Sequence, residues 1–172
     1  MIIETILVPV DFTASSENAI QYAIKLCEGS NAKILYLHVF MTEIQGTPTD
    51  NISDSVVAPN NLIVERERSQ QNLIAFIENI PETASIDYDI LVQPGAILSE
   101  NVICEIALNN MVDIIILGAT NISLLERFFI GSLSEKISRK APCSVMIIPE
   151  DFKNFSFGTI SLMVDKKGFD TK

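Results

Sequence analysis

Five short apolar runs, each parted from the next by a stretch of helical periodicity, restrict what this chain can fold into more than any other feature. "IIETILVPVD" opens the series and stops at Asp11; "AKILYLHVF", "SIDYDILV", "VDIIILGA" and "CSVMIIP" follow. Continuous apolarity over so few residues predicts strands buried on both faces. "SIDYDILV" instead alternates Ile86, Tyr88, Ile90 and Val92 with polar residues, which predicts a partly wet strand at a sheet edge.

Between the runs, Ala19, Ile20, Ala23, Ile24 and Cys27 form one helical stripe from Ser15 onward, with Gly29 placed to stop the helix. Leu62, Ile63, Leu73, Ile74 and Ile77 predict a second helix ending near Pro81. Ile97, Leu98, Val102, Ile103, Ile106 and Ala107 predict a third, with Asn109 and Asn110 near its end, and a fourth starts near Ser132 with Leu133 and Ile137 inward. Residues 41–60, with Gly46, Pro48 and Pro59, predict a long mobile connection able to act as a lid.

Strands that alternate with helices pair in parallel through right-handed crossovers, so the expected fold is α/β, a doubly wound, Rossmann-like sheet with helices on both faces. Ligands of such sheets lie outside the carboxyl ends of the strands, where the strand order reverses. Asp11 and Gly118 end two of the most buried-looking strands, and if those strands are neighbours the two residues share one crevice.

The net charge of −10 disfavours nucleic acid and anionic membranes as partners. The first 24 residues contain no Lys or Arg, and no apolar run reaches the roughly 18 to 20 residues of a membrane span. A cytoplasmic location is therefore expected. Cys27, Cys104 and Cys143 lie far apart among apolar neighbours and read as buried thiols of a reducing compartment. His38 is the single histidine, flanked by Leu37 and Val39, so a His-rich metal site is excluded and His38 reads as a structural strand residue.

"GATNISLLERFFIGSLSE", residues 118–135, admits two readings. As a phosphate cradle, Gly118 and Gly131 let the backbone approach, Ser132 and Ser134 add hydroxyls, and Arg127, Lys136, Arg139 and Lys140 make this the locally basic segment. As plain structure, Ser132 caps the following helix in a capping box with Glu135, and Gly131 eases the turn. Asp11 likewise reads either as a ribose-hydroxyl acceptor or as a helix-start carboxylate. Neither GxxxxGK[ST] nor GxGxxG occurs, which argues against fast phosphoryl transfer. No phosphate loop rich in Ser and Thr follows the first strand, which argues against a flavodoxin-like electron carrier.

"ILVPVDFTASSENAIQYAIKLC", "LHV" and "DIIILGATN…GSLSEKISRKAPCSVMIIP" resemble the universal stress protein family over residues 2–149. The resemblance implies a five-stranded parallel sheet of the adenine-nucleotide alpha hydrolase type, in strand order 3-2-1-4-5. It implies a regulatory module binding ATP, ADP or AMP between the first and fourth strands, with room for Mg²⁺ beside the phosphates. Pro9 and Val10 would line the base, the Val39 backbone would read adenine, and Asp11 would touch the ribose. Leu117, Gly118, Asn121, Gly131, Ser132, Leu133 and Ser134 would surround ribose and phosphates. The family pattern has glycine where this chain has Asn121, whose side chain would occupy space near the phosphates. A homodimer through the last strand, "SVMIIP", is also implied. No catalytic residue is assigned, because no water-activating base stands beside the loop; at most a slow ATP hydrolase is expected. The competing reading is a nucleotide-free dimeric interaction protein of the stress response.

The domain is expected to span residues 1–150. Residues 151–172 form an extension whose Val164-Asp165 echoes Val10-Asp11, either the start of a second copy or an arm packed on its own or a partner's edge, with Phe152, Phe155 and Phe157 partly buried.

Overall fold

A computed structural model describes residues 3–28, 30–41, 59–95, 99–119 and 132–149. Its elements run in strict alternation: β1 (Thr5–Pro9), α1 (Ala14–Cys27), β2 (Lys33–Phe40), α2 (Pro59–Glu78), a 3-10 turn (Pro81–Ser85), β3 (Tyr88–Pro94), α3 (Glu100–Asn109), β4 (Ile114–Ala119), α4 (Ser132–Lys140) and β5 (Ser144–Pro149). All strands pair in parallel, in the order β3-β2-β1-β4-β5. The doubly wound sheet is thus present, with the half-wet β3 at one edge and β5 at the other.

Strand side chains alternate between faces, and the two faces build separate cores. Ile6, Val8, Ile34, Tyr36, Ile114 and Ile116 pack under α1 and α2. Leu7, Leu35, Leu37, Ile115 and Leu117 pack under α3 and α4, with Ile103, Ala107 and Ile137. Fully burying one such side chain stabilises the fold by about 1.5–3 kcal/mol. That is why the central strands carry Ile and Leu on both faces.

Several helix details differ from the sequence reading. α1 begins at Ala14, one residue earlier than expected, because Thr13 is the N-cap and its side chain accepts from the Ser16 N–H. α2 begins at Pro59, inside the stretch assigned to the loop, since proline at a helix start lacks only an N–H that has no helical partner there; residues 42–58 lie outside the described residues. Ile63, placed on the inward stripe, is 57% exposed. Eleven residues are close to three helical turns, so Leu62 shares a face with Leu73 while Ile63 falls about 100° away. α3 starts at Glu100 after Ser99; Ile97 and Leu98, expected in it, lie outside the described residues, as does Gly29. Cys27 is buried as expected, and burial pushes its thiol up to about 11. Cys104 and Cys143 are only half-buried, on the flank of α3 and just before β5.

The end of α3 holds a residue that the sequence did not single out. Asn110 is the C-cap, and Met111 follows at φ 50°. Met111 N–H donates to the Leu108 carbonyl at 3.3 Å and Val112 N–H to the Ala107 carbonyl at 2.9 Å, a Schellman closure. That position suits glycine, and Met111 is 84% exposed, so its side chain contributes little packing. Met111→Gly is therefore expected to raise stability by about 0.5–1 kcal/mol, the relief of left-handed strain less the extra chain entropy of glycine. Thermal denaturation of the two proteins checks it.

At the other end of the same loop, Asp113 clamps β4 to β1. Its Oδ2 accepts from Glu4 N–H at 2.8 Å and Thr5 N–H at 3.0 Å, and these bonds hold its carboxyl below the usual carboxylate value. A depressed folded pKa contributes stability that is present above the unfolded value, about 3.9, and is lost as pH falls through the folded value. Asp113→Asn is expected to lower stability by about 1 kcal/mol at pH 7, with the gap closing below about pH 4. Urea titrations at pH 7 and pH 3 measure it; an unchanging gap would show that the carboxylate charge is irrelevant.

Candidate functional site

The sheet opens where its strand order reverses. β1 pairs with β4 only at Ile6↔Ile114 and Leu7↔Ile115, whereas β1 follows β2 up to Pro9↔Leu37 and β4 follows β5 up to Ala119↔Pro149. Above Leu7 the two central strands part, and a crevice forms at their carboxyl ends. The expected neighbourhood of Asp11 and Gly118 follows from this pairing.

Pro9, Val10, Val39 and Leu117 are all buried, Val10 to 1% exposure, Leu117 to 4% and Val39 to 6%. Val39 and Leu117 belong to the core under α3 and α4, and Val10 to the opposite one. Val39 has a further property. The Leu37 carbonyl accepts from Val10 N–H on the β1 side, and the Phe40 carbonyl accepts from Gly95 N–H on the β3 side. Main-chain groups alternate along a strand, so Val39, two residues past Leu37, presents its N–H and C=O toward β1 beyond the last β1–β2 rung. A paired donor and acceptor of that kind complements the edge of a nucleobase.

The turn after β1 is built by Asp11, Phe12 and Thr13. Asp11 is exposed, and its Oδ1 accepts from both Thr13 N–H (3.1 Å) and Thr13 Oγ1–H (2.5 Å). Its helix-start role is therefore real, and both bonds fall on one oxygen. Phe12 stands at φ 63°, in the left-handed region that bulky residues avoid at a cost of about 1 kcal/mol. Its ring lies 4.4 Å from that of His38 and 5.5 Å from that of Phe76, centroid to centroid, and these contacts hold the turn. His38 Nδ1 sits 2.8 Å from the Val10 carbonyl, which can only accept, so Nδ1 carries the proton. The structural assignment of His38 is correct.

Gly118 plays a part that the sequence reading missed. A Cβ there would lie 2.1 Å from the Ser15 carbonyl oxygen and 2.9 Å from the Ser16 nitrogen, so the first turn of α1 rests on the β4 backbone. The glycine serves helix-to-strand approach. The small residues of "TASS", Ala14 to Ser16 among them, were the available signal. Further along α1, Asn18 Nδ2–H donates to the Pro149 carbonyl at 2.7 Å and ties the helix to the end of β5.

α4 brings Ser132, Leu133 and Ser134 to the same pole, Ser132 exposed and Ser134 buried. Ser132 is the first helical residue, and Glu135 Oε1 accepts from Arg139 at 3.1 and 3.2 Å. Arg139 and Lys140 occupy the last turn, and Lys140 bonds Glu100 at 3.1 Å and Asn101 at 3.0 Å. Asn121, Arg127 and Gly131 lie outside the described residues. Among the described residues no group of three or more His, Cys, Asp or Glu side chains could hold a metal ion, and no helix is long and apolar enough to cross a membrane.

The chain resembles known proteins along nearly its whole described length. It is 27% identical over 146 residues to a universal stress protein of Bacillus subtilis, covering 83% of this chain and 96% of that one. A universal stress protein in complex with cAMP superposes with a TM-score of 0.57 at 16% identity, covering 87% of this chain and 99% of that one. A family member from Arabidopsis thaliana with AMP bound superposes with a TM-score of 0.55 at 18% identity, over 85% and 91% of the two chains. The model of the universal stress protein family matches residues 3–149, from the residues just before β1 to the last residue of β5, and the chain belongs to that family.

Proposed function

We propose that this chain is a regulatory module that binds an adenine nucleotide, ATP, ADP or AMP, in the crevice between β1 and β4. The parting of these strands above Leu7↔Ile115, at the reversal of strand order, carries the reading. The AMP and cAMP found in two proteins of the same fold support it. In this reading the main-chain N–H and C=O of Val39 meet the adenine edge, and Pro9 and Val10 back the base. Asp11 accepts from a ribose hydroxyl through Oδ2, the oxygen outside the Thr13 bonds. Leu117 and Gly118 contribute backbone, and Asn121, Gly131, Ser132, Leu133 and Ser134 surround the phosphates at the start of α4. Mg²⁺ enters with the phosphates, whose oxygens supply its ligands.

No residue is assigned to catalysis. His38 Nδ1 is committed to the Val10 carbonyl, and hydrolysis is slow at most. The module works in the cytoplasm as a homodimer joined along β5, whose Val145, Met146 and Ile147 are half-buried at the sheet edge. Residues 1–150 form the nucleotide-binding domain, and residues 151–172 serve as an arm on a partner's edge or the start of a second copy.

The decisive experiment denatures freshly purified protein, identifies any released small molecule by mass spectrometry, and titrates the stripped protein with ATP, ADP and AMP. Released adenine nucleotide or saturable binding is expected. No ligand and no binding at millimolar concentration would sink the reading in favour of a nucleotide-free interaction protein.

A further inference from the structure

Left-handed backbone at a bulky residue persists only where its surroundings hold it there, and such strain gathers at ligand clamps. Phe12, at φ 63°, is such a residue, and the chain on either side of it is fastened. His38, in β2, bears on both residues that flank Asp11: its Nδ1 lies 2.8 Å from the Val10 carbonyl, and its ring lies 4.4 Å from that of Phe12. The Asp11 side chain is fastened separately. Thr13 donates to Asp11 Oδ1 twice, through its N–H at 3.1 Å and its hydroxyl at 2.5 Å. A threonine hydroxyl carries a single proton beside its lone pairs. Thr13 Oγ1 also accepts from Ser16 N–H at 3.3 Å, a bond that uses a lone pair and leaves the proton for the carboxylate. Ser16 in turn belongs to the turn of α1 that rests on the Gly118 backbone, and its own hydroxyl donates to the Thr13 carbonyl at 2.9 Å. Asp11 is thus tied toward β2 on one side and toward β4 on the other.

We infer that Thr13 is a positioning residue for nucleotide binding: by filling Oδ1 it fixes the Asp11 carboxylate in one orientation and keeps Oδ2 for a hydroxyl of the ligand's ribose. The inference rests on the reading of the crevice as a nucleotide site. Short O–H···O⁻ bonds are charge-assisted and stronger than neutral ones, so the pair holds the carboxylate in place although Asp11 is exposed. An acceptor already fixed in its bound orientation loses less freedom when the ligand arrives, and the difference appears as affinity. The helix-cap role of Thr13 does not account for the hydroxyl proton, since capping uses the side-chain oxygen only as an acceptor.

The test titrates the full chain calorimetrically with AMP and with its dideoxy analogue, which keeps base and phosphate and lacks both ring hydroxyls of the ribose. In wild type AMP should bind the more tightly. Thr13→Val should weaken AMP about tenfold and leave the dideoxy analogue unchanged, and Thr13→Ser should restore AMP. Thr13→Gly, which a helix start tolerates nearly as well as threonine, should repeat the Thr13→Val result in a chain of near-wild-type stability. Without ligand, the Asp11 Cβ-proton couplings should report one rotamer in wild type and averaging in Thr13→Val. Equal weakening of the two ligands, failure of Thr13→Ser to rescue, or an unaltered Asp11 rotamer would reduce Thr13 to a helix cap while the nucleotide site stands. Equal affinity of wild type for the two ligands would take Asp11, and Thr13 with it, away from the ribose. A wild type that binds neither overturns the nucleotide reading itself and this role along with it.

Discussion

Gly118→Ala is expected to destabilise the fold by about 3 kcal/mol or more, at or above the upper end of ordinary overpacking. The added methyl would lie 2.1 Å from the Ser15 carbonyl oxygen, 2.3 Å from its carbonyl carbon and 2.9 Å from the Ser16 nitrogen. All three are backbone atoms, so no side-chain rotation relieves the clash. α1 would have to lift from β4, but Ala19, Ile20, Ala23 and Ile24 are buried to 1% exposure or less, and Asn18 is bonded to Pro149. A loss of that size is a large part of the roughly 5–15 kcal/mol that holds a domain folded. The denaturant midpoint should fall steeply, and nucleotide binding should fall with it. An unchanged midpoint would show that α1 does not rest on Gly118.

Gly131→Glu should do the reverse, removing nucleotide binding while the fold survives. Residue 131 immediately precedes Ser132, the first residue of α4, and the opening turn of any helix carries N–H groups without helical partners. A carboxylate at a helix start is favourable to the helix, by about 0.3–1 kcal/mol, so the variant should melt within a few degrees of wild type. The same charge occupies the place proposed for the phosphates and repels them. At about 4 Å and an effective dielectric near 20, each pair of unit charges costs about 4 kcal/mol. Affinity is therefore expected to drop more than about 100-fold. Isothermal titration with AMP and ATP reads this directly, and retained affinity would remove α4 from the site. The two variants together separate a glycine on which the framework rests from one proposed to meet the ligand.

The fold is legible in the sequence wherever side-chain periodicity carries the information. The strands of Ile, Val and Leu and the stripe of α1 appear where the residues put them, and the wet alternation of "SIDYDILV" does so from Tyr88 onward, Ser85 closing the 3-10 turn. Strand order does not follow from local pattern, because β1 meets β4 across more than a hundred residues; it came through the family resemblance. Phe12 and Met111 escaped notice because a left-handed backbone leaves no mark on sequence when the residue is not Gly, Asn or Asp. Gly118 was legible as a close approach, but the approaching group is the α1 backbone. Asp11 and the Val39 main chain stand at the crevice as the reading requires, and their roles toward a nucleotide remain the proposal that titration tests.

The seam between β1 and β4 also sets the order in which this protein can be made. Thr5 and Asp113, the residues clamped across it, are 108 positions apart in the chain. On a ribosome working at about 5–20 residues per second, β1 emerges about 5–20 s before any part of β4 exists. Once β2 has been made it can cover one flank of Ile6, Leu7 and Val8, while the other remains an unpaired apolar edge until β4 arrives, the kind of surface on which nascent chains stick to one another. The strand at the centre of the finished sheet is thus the one left exposed longest during synthesis.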